Sequence, residues 1–375
     1  MIIGIDGNEA NCPEKVGVNQ YAYNLLWALK RLETSWSKKH RVIVYLKNSP
    51  RNDLPCESFY WQYRLLPGKR LWIITKLMPF LYTTKEKIDV FFTPGHYLPP
   101  FLPVPAVCAV MDLGYLKFSE QFKAYDFWQL KLWTAWSILK AKKVFAISET
   151  TKKDIVRHYP FAAKKVCVTL LGYDKKMFYL KKDIDDVRRI KKKYSIVNEY
   201  VLFIGTLRPS KNVEGLIRAW SEVCKRYPDI CLVIAGKKGW LYESIFKKVN
   251  SLKLRKRVIF TGFLAEEDKP SLIKGAKAFV MPSFWEGFGI DVVNAMACGV
   301  PVVISNQGSL PEIGGEAAVY VNPYDAHSIA DGIIKVLSMS RNDYNKIVKE
   351  NLKWVKRFDW EKTARKSLEE IEKIV

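Results

Sequence analysis

The sequence predicts an α/β fold of two doubly wound domains, each a parallel β-sheet covered by helices, facing each other across a cleft. Short apolar runs alternate with amphipathic helical patterns along the chain, which is typical of βαβ units. The alternation is interrupted at residues 172–198, where Lys and Arg are frequent. Because 375 residues can bury two separate cores, we expect domains at residues 1–175 and 176–358.

The first half of the chain contains the strands of one predicted sheet. A helix is expected at residues 19–33, where leucines recur at helical spacing, and another at residues 149–158, behind the capping residue Ser148. The strands are predicted at residues 1–6, 41–46, 60–66, 88–92, 106–111, 144–147 and 166–170.

A second alternation begins at residue 200 and ends with a helix at residues 361–374. Between the two alternations, Asp183 and Asp185 have the spacing of a D-x-D metal motif. Lys181 and Lys182 precede them and no strand supports them, so we interpret this segment as a solvated charge run. The strands are predicted at residues 200–205, 230–235, 258–261, 278–281, 302–305 and 319–321.

Composition and charge favour a globular enzyme with an anionic partner. The residues are 49% hydrophobic and 26% charged, and the net charge is +23, of which +16 lies in residues 1–200. Nucleic acid, an anionic lipid surface and phosphate-bearing substrates are the candidate partners. No nucleic-acid-binding module is recognisable, so we expect no nucleic acid partner.

The cysteines and apolar runs predict a cytoplasmic protein. Seven cysteines without a C-x-x-C pair are typical of reduced thiols, and a strand starts at Met1 with no basic region ahead of it, so we expect no secretory signal. Residues 90–111 carry no charge, but five prolines interrupt them. We therefore expect two strands and a loop there, not a membrane-spanning helix.

Residues 281–299 contain the strongest candidate site. A strand ending at Met281 is followed by Glu286, the glycine turn 287–289 and a helical pattern that stops at Gly299. The first amides of a helix lack an intrahelical partner and the helix dipole adds positive charge, so this turn predicts an anion site. Glu286 suits sugar hydroxyls better than phosphate. The stretch predicts binding of a sugar joined to a phosphate, although such turns also occur for packing alone.

A second candidate stretch, residues 205–212, follows a strand and opens a helix. Lys211, with Arg208 nearby, could neutralise a diphosphate and support its departure. Because the carboxyl ends of parallel strands share one edge of the sheet, we expect Lys211 at the same edge as Glu286. The alternative is that Lys211 and Arg208 are only exposed basic residues in a very basic protein.

The string from Glu286 through residues 295–303 and into residues 308–312 resembles the donor-site signature of the retaining glycosyltransferases of family 4. In that family a Glu, seven residues and a second Glu span the turn and helix, whereas here the second position is Asn294. The resemblance implies a GT-B fold whose final helix, residues 359–375, packs back on the first domain. It also implies transfer of a hexose, mannose or glucose, from a nucleotide diphosphate sugar to a glycan or lipid-linked acceptor, with retention and without a metal or other cofactor.

The resemblance also identifies the site residues. Asn294 would bond the donor ribose more weakly than Glu. Asp291 either restores a carboxylate to this region or is simply a residue that the helix dipole favours near a helix N-terminus. In the first domain, Met111 stands in place of the family's His, Asp112 is retained, and His96 is the candidate replacement. The catalytic candidates are Glu286, Lys211, Asp112 and His96. The donor-binding candidates are Gly17, Gly205, Thr206, Arg208, Lys211, Asn212, Phe263, Leu264, Glu286, Gly287, Phe288, Gly289, Ile290 and Asn294.

Within this set, the backbone around Phe263 and Leu264 is expected to contact the donor base, and Gly17 to lie near the donor phosphates. Two alternative functions remain open. A nucleotide-sugar epimerase can share the architecture but would need a carboxylate or histidine base in the cleft. A non-catalytic nucleotide-sugar- or glycan-binding relative is suggested by the replacements at Met111 and Asn294.

Two stretches of the first domain combine aromatic residues with Lys and Arg, as interfacial helices do. For residues 118–143 we expect the aromatic side chains to pack inward and the lysines to be solvated. For residues 67–87, Pro79 and the apolar excess favour a poorly packed surface segment that contacts an anionic membrane. We therefore expect a cytoplasmic enzyme with possible peripheral contact with the inner face of the membrane.

Overall fold

The computed structural model describes residues 1–121, 123–181 and 183–375. Lys182 of the charge run and Phe122 of the second aromatic stretch lie outside the described residues. The described chain divides into two compact units, one formed by Met1–Gly172 and Asp359–Val375 and the other by Tyr173–Phe358. Each unit is a parallel sheet with helices, so the predicted pair of doubly wound α/β domains is confirmed.

Within the described residues, the sheet of the first unit has seven parallel strands in the order β3-β2-β1-β4-β5-β6-β7. Both faces are covered, so β4 and β5 are buried along their whole length. The strands are β1 (Ile2–Asp6), β2 (Arg41–Leu46), β3 (Trp61–Leu65), β4 (Val90–Thr93), β5 (Ala106–Val110), β6 (Lys143–Ala146) and β7 (Val166–Val168). The helices before the second unit are α1 (Val18–Arg31), α2 (Glu33–Trp36), α3 (Met78–Thr83), α4 (Gly114–Lys117), α5 (Ala124–Lys140) and α6 (Glu149–His158).

The described part of the second unit contains six parallel strands in the order β10-β9-β8-β11-β12-β13. The strands are β8 (Glu199–Ile204), β9 (Ile230–Ala235), β10 (Val258–Gly262), β11 (Ala278–Met281), β12 (Val302–Ser305) and β13 (Val319–Val321). The helices are α7 (Ile184–Lys193), α8 (Val213–Arg226), α9 (Glu243–Ser251), α10 (Lys269–Gly275), α11 (Ile290–Ala297), α12 (Leu310–Gly314), α13 (Ala326–Leu337) and α14 (Arg341–Trp354).

The D-x-D segment is the start of a helix. Asp183 accepts hydrogen bonds from the amides of Asp185 and Asp186 and so caps α7, while Asp185 pairs with the exposed Arg188. The interpretation as a solvated segment rather than a metal motif agrees with this geometry.

The last helix, α15 (Trp360–Glu372), packs on the first unit. Trp360 is buried, and its ring centroid lies 6.1 Å from that of Tyr21 on α1. Thr363 donates its hydroxyl to the carbonyl of Leu170, just beyond β7. A Cβ at Gly172 would lie 2.1 Å from the amide nitrogen of Trp360, so the chain leaving the unit and the chain returning to it touch through backbone.

The prediction for residues 67–87 is wrong in its packing. Trp72 is 5% exposed and donates its indole N–H to the carbonyl of Leu66 at 2.6 Å, and Leu77 and Leu81 are buried in the core. These side chains fill the space beside β2 and β4 instead of facing solvent. Much of the apolar excess of the stretch therefore serves the core of the first unit, while Leu71 and Tyr82 are 60% and 50% exposed.

The prediction for residues 118–143 is also wrong for several large side chains. Tyr125, Trp128 and Leu132 on α5 are 77%, 52% and 64% exposed, whereas Thr134 and Ser137 of the same helix are buried. The uncharged run at residues 90–111 forms β4, a loop and β5 as predicted. In the described residues, the helices are all too short or too polar to cross a bilayer.

We predict that Trp360→Ala loosens the first unit, because truncating a buried Trp costs about 3–5 kcal/mol. Hydrogen exchange in β6 and β7 measures the effect locally, and protection there should fall while β8 and β11 remain protected. Lys362→Ala, on the exposed side of α15, is the matched control. Unchanged protection in the Trp360 variant would show that the helix does not stabilise this sheet.

Candidate functional site

At the carboxyl edge of the second sheet, the backbones of three glycines hold the loops close to one another. Gly236 has φ +150°, and a Cβ there would lie 2.0 Å from the carbonyl oxygen of Gly205. The amide of Gly236 donates to the carbonyl of Gly262 at 2.8 Å, and the amide of Gly205 donates to that of Ala235 at 2.9 Å. The loops that leave β8, β9 and β10 therefore start from fixed positions at a single edge.

Two candidate catalytic residues, Lys211 and Glu286, form an ion pair at this edge. The Lys211 ammonium donates to both carboxylate oxygens of Glu286, each at 2.6 Å, and the two side chains are 12% and 8% exposed. The hydroxyl of Ser283 donates to one of these oxygens at 2.6 Å. A backbone hydrogen bond from Phe284 to Ser210, at 2.9 Å, holds the two loops together.

The hydrogen bonds of Asn212 go to the backbone of neighbouring loops, as expected of a positioning residue. It precedes α8 in the left-handed conformation (φ 53°), which Asn tolerates better than most side chains. Its buried amide nitrogen donates to the carbonyls of Pro282, at 3.0 Å, and Pro323, at 2.6 Å. These carbonyls follow β11 and β13. Both amide hydrogens are thus used in tying three loops, and we assign Asn212 to the support of the edge.

The turn that follows Glu286 is held by residues 308 and 309. The hydroxyl of Ser309 lies 3.0 Å from the carbonyl oxygen of Glu286 and 3.1 Å from that of Phe288, and its amide also donates to the former. Gly308 has φ +63°, and a Cβ there would lie 2.9 Å from the same Glu286 carbonyl. Sequence analysis recognised this segment within the signature but gave Gly308 and Ser309 no role.

The N-terminus of α11 faces the turn without a side-chain cap. Gly289 precedes the helix with φ 91°, and a Cβ there would meet the Leu310 side chain at 2.8 Å. The first two helical amides, of the half-buried Ile290 and Asp291, have no intrahelical acceptor, whereas that of Val292 donates to the Gly289 carbonyl at 3.0 Å. The positive end of the helix dipole therefore lies at the turn that carries Glu286.

Arg208 lies beside an aromatic residue that sequence analysis missed. Its guanidinium carbon is 5.3 Å from the ring centroid of Trp240, which is 37% exposed. The amide of Gly239 donates to the carbonyl of Leu207 at 3.0 Å and so holds the Trp240 loop against the half-buried Thr206 and Arg208 segment. The signal was present in the Gly-Lys-Lys-Gly-Trp string directly after β9.

The apolar donor-binding candidates are exposed to different degrees. Phe263 is 44% exposed, whereas Leu264 is 5% exposed and belongs to the core. Phe288 is 4% exposed and packs edge-on against Phe358, with centroids 5.6 Å apart. Among these three, the Phe263 ring is accessible to a ligand, while Leu264 and Phe288 offer backbone groups only.

Asn294 is buried on α11, with 3% exposure. It donates to the Asp291 carboxylate at 3.1 Å, and its side-chain oxygen has no partner among the described residues. Asp291 lies 3.5 Å from the Lys269 ammonium, which pairs with Glu266 at 2.8 Å. Burial opposes the charge on Lys269, but the attraction of Asp291 and Glu266 prevails and raises its pKa. Asp291, whose side chain is 15% exposed, is thus more accessible than Asn294 and is the carboxylate of this helix.

In the first unit, the candidates Gly17, His96 and Asp112 lie on loops that follow the adjacent strands β1, β4 and β5. Gly17 starts α1 with φ 54°, and a Cβ there would meet nothing within 4 Å. Asp112 accepts a hydrogen bond from the amide of Gly114 at 2.7 Å and opens α4. Met111 accepts a hydrogen bond from Thr151 through its carbonyl and contributes no proton-transfer group.

The His96 ring packs against that of Tyr97 at a tilt of 48°, with ring centroids 4.1 Å apart, and its Nε2 has no partner among the described residues. Burial lowers the pKa of His96 to about 4. The imidazole is therefore neutral at pH 7, which is the form a general base requires.

Two carboxylates at the end of β1 were missed by sequence analysis. Burial raises the pKa of Asp6, and burial together with the Asp6 charge raises that of Glu9. Asn8 donates to Asp6 at 2.7 Å, and Asn19 donates to Glu9 at 2.6 Å. The Asp-Gly-Asn-Glu string after the first strand was the available signal. These acceptor oxygens suit hydroxyl groups of a ligand.

The edge of the second sheet can bind a polyhydroxyl group joined to an anion. It combines a buried cation, a carboxylate and the uncapped amides of α11. In the described part of the chain, the His, Cys, Asp and Glu side chains form no group of three or more placed to hold a metal ion.

We predict that Ser309→Ala destabilises the turn at residues 286–289, because the Phe288 carbonyl loses its hydroxyl partner and the Glu286 carbonyl keeps only the Ser309 amide, at a cost of about 1–3 kcal/mol. Hydrogen exchange at residues 287–291 should accelerate. Ser338→Ala, which removes a hydroxyl from an exposed carbonyl, should have little effect. Equal effects of the two variants would contradict a clamping role for Ser309.

We predict that His96 makes the first unit less stable in acid. The folded pKa of about 4 is below the unfolded value of 6.5, so the unfolded chain binds more protons as the pH falls from 6.5 towards 4. The unfolding free energy should fall by roughly 2–3 kcal/mol over that range, and His96→Gln should remove this part of the slope.

His327→Gln is the control for that measurement. Its hydrogen bond to Glu222 raises the pKa of this exposed histidine, so its effect has the opposite sign. If the unfolding free energies of His96→Gln and of the wild type have the same slope between pH 6.5 and 4, His96 is not buried in its neutral form.

Comparisons with known proteins agree with this geometry. The family model for group 1 glycosyl transferases matches residues 186–354, and the model for glycosyltransferase family 4 matches residues 16–176, so the two together cover most of the chain. The chain is 29% identical to O-antigen chain mannosyltransferase B of Escherichia coli over 332 residues. The alignment covers 87% of this chain and 81% of that protein.

Solved structures share the fold of the whole chain. Sucrose-phosphate synthase from Thermosynechococcus elongatus superposes with a TM-score of 0.76 at 20% identity, covering 99% of this chain and 98% of that one. The Anabaena protein HepE in complex with UDP-glucose superposes with a TM-score of 0.74 at 18% identity, covering 99% of both chains. The chain belongs to the family 4 glycosyltransferases of GT-B fold, a retaining family, and it is a hexose-transferring enzyme.

Proposed function

We propose that this enzyme transfers mannose or glucose from a nucleotide diphosphate sugar to a glycan or lipid-linked acceptor, with retention of the anomeric configuration. The observation that carries the proposal is the buried Lys211–Glu286 pair beside the uncapped N-terminus of α11. A cation for a diphosphate and a carboxylate for sugar hydroxyls are joined there in one contact.

The names of the similar proteins support the choice of sugar. The E. coli relative that covers most of the chain is a mannosyltransferase, which favours mannose. The complex of HepE with UDP-glucose supports glucose as the alternative.

Donor binding would exchange one ion pair for another. In the free enzyme Lys211 and Glu286 neutralise each other, so neither charge is buried alone. The donor diphosphate takes the Lys211 ammonium and the α11 amides, and the hexose hydroxyls take the Glu286 carboxylate. Arg208, held on the Trp240 ring, supplies a second cation for the diphosphate.

In the chemical step, the bond between the anomeric carbon and the diphosphate oxygen breaks, and its electron pair leaves with the diphosphate. Lys211, Arg208 and the α11 amides stabilise the negative charge that develops on the leaving group. The acceptor hydroxyl bonds to the anomeric carbon on the same face, and its proton passes to the departing diphosphate oxygen. These cations support our proposal that the reaction is metal-independent.

The base and ribose would be held by the β10 and α11 segments. We assign the base to the exposed Phe263 ring and the backbone of Leu264. For the ribose hydroxyls we favour Asp291 over Asn294, because Asn294 is buried and uses its amide on Asp291.

In the first unit, we propose that the carboxylates of Glu9 and Asp112 accept hydrogen bonds from acceptor hydroxyls and that Gly17 leaves room for the donor phosphates. His96, neutral at pH 7, is the candidate to accept a hydrogen bond near the reacting centre. We place the enzyme in the cytoplasm, in peripheral contact with an anionic membrane. The +23 net charge supports that partner.

We predict that Lys211→Met lowers kcat at least about 100-fold, because one preorganised charge on a leaving group is worth on the order of 3 kcal/mol.

Glu286→Gln should raise Kd for the nucleotide sugar much more than for the free nucleoside diphosphate. Turnover of GDP-mannose and UDP-glucose in EDTA, with isothermal titration of both ligands, measures these effects.

Lys225→Met, at the far end of α8, controls for the loss of one positive charge. Unchanged kcat in the Lys211 variant would remove Lys211 from the mechanism, and activity that EDTA abolishes and a divalent cation restores would overturn metal independence. Donor binding by the wild type without transfer or hydrolysis would identify a non-catalytic relative.

A further inference from the structure

Helix α5 of the first unit leaves several of its large apolar side chains exposed, although Ile138 is buried and Phe127 and Leu130 pack against the core. Its buried residues are Thr134, Ser137 and Ile138, two of which are polar, while Tyr125, Trp128, Leu132 and Leu139 are 77%, 52%, 64% and 52% exposed. A helix that only covers a sheet buries its large apolar side chains and exposes the polar ones. The exposed face of α5 therefore has a function other than covering the sheet.

The exposed residues form one continuous stripe. At 100° per residue, positions 125, 128, 132 and 139 fall within about 60° of one another around the helix axis. With a rise of 1.5 Å per residue, the stripe is roughly 21 Å long. We call these four residues the α5 stripe.

The stripe is rigidly mounted. The Trp133 indole donates to the Leu98 carbonyl at 2.9 Å, and the Trp136 indole donates to the Pro100 carbonyl at 3.3 Å. The next residue of that loop, Phe101, is 61% exposed and packs edge-on against Trp136. A further aromatic side chain is thus held on the surface beside α5.

Lysines surround these aromatic side chains. The Lys131 ammonium lies 4.8 Å from the Trp128 ring centroid and 5.6 Å from that of Phe127, and the Lys140 ammonium lies 4.8 Å from that of Trp136. Residues 123–142 carry four lysines and one aspartate, so the segment is cationic. Cationic heads among aromatic and aliphatic side chains match the boundary between acidic headgroups and acyl chains.

We propose that the α5 stripe, with Phe101 and the adjacent lysines, docks the enzyme on an anionic lipid surface with α5 lying in the plane of the headgroups. The charge favours acidic lipid. The narrowness of the stripe argues against a protein partner, since a strip roughly 21 Å by 10 Å offers about 200 Å², against about 800 Å² per side in a standard protein interface.

This inference deepens the membrane contact in the proposed function and moves it from residues 67–87, whose Trp72 is buried, to α5. Docking would bring the enzyme to a lipid-linked acceptor without α5 taking part in catalysis. Binding to vesicles and transfer to a water-soluble acceptor are therefore independent measurements.

The test is co-sedimentation of the full chain with vesicles of phosphatidylcholine alone or with one third phosphatidylglycerol. We expect binding to the anionic vesicles only, with the partition coefficient falling at least about 10-fold as salt rises from 0.05 to 0.5 M. The double variant Trp128→Ser, Leu132→Ser should reduce binding at least about 10-fold at low salt, since the strength of binding scales with the apolar area buried in the lipid. Lys131→Gln with Lys140→Gln should reduce binding and its salt dependence together.

Phe59→Ser is the matched control, because Phe59 is 72% exposed on the same unit and has Arg41 beside its ring at 5.8 Å. It should bind vesicles as the wild type does. Circular dichroism verifies folding of each variant, and the α5 variants should keep wild-type transfer to a soluble acceptor. Equal binding by the α5 and Phe59 variants, no binding by an active wild type, or equal binding to neutral vesicles would overturn the proposal. Absence of transfer by a wild type that binds the anionic vesicles would instead refute the proposed function.

Discussion

The buried pair of Lys211 and Glu286 is the interaction on which the second unit is organised. Removing one partner from such a pair leaves an uncompensated buried charge, at a cost of about 3–5 kcal/mol. The loops after β8 and β11 are therefore bound to each other even in the free enzyme. In the proposed function, a diphosphate that takes the lysine would leave the carboxylate in need of a new donor, which the sugar hydroxyls would supply. Recognition of the two halves of the donor would then be interdependent.

The other features of this edge keep that pair in place. Asn212 ties the loops after β11 and β13 to the start of α8, and Ser309 holds the carbonyls on either side of Gly287. The close contact of Gly205 with Gly236 excludes any side chain there. These contacts fix the lysine, the carboxylate and the positive end of α11 before the ligand arrives. Catalysis by stabilisation of a leaving group depends on such preorganisation.

The sequence predicted the sheets well because their strands are buried on both faces and appear as uninterrupted apolar runs. Lys211 and Glu286 were predictable because strand ends of a parallel sheet meet at one edge. Trp240 and Ser309 were missed because they act through loop contacts that leave no periodic pattern, and a local Gly-Lys-Lys-Gly-Trp string after β9 was the signal for Trp240. Asn212 was expected to bind the donor, but a short polar side chain does not reveal from sequence whether it faces a ligand or, as here, two carbonyls.

The two aromatic stretches of the first unit have similar composition and opposite placement, which composition alone could not resolve. Trp72 finds a carbonyl acceptor and an apolar pocket inside the unit. On α5 the buried residues are Thr134, Ser137 and Ile138, and Tyr125 and Trp128 on the opposite side of the helix are exposed. The buried side of the helix is thus formed by two small polar residues and an isoleucine, and several of its large side chains remain on the surface. Which side of the helix is buried therefore determines which aromatic residues reach the surface.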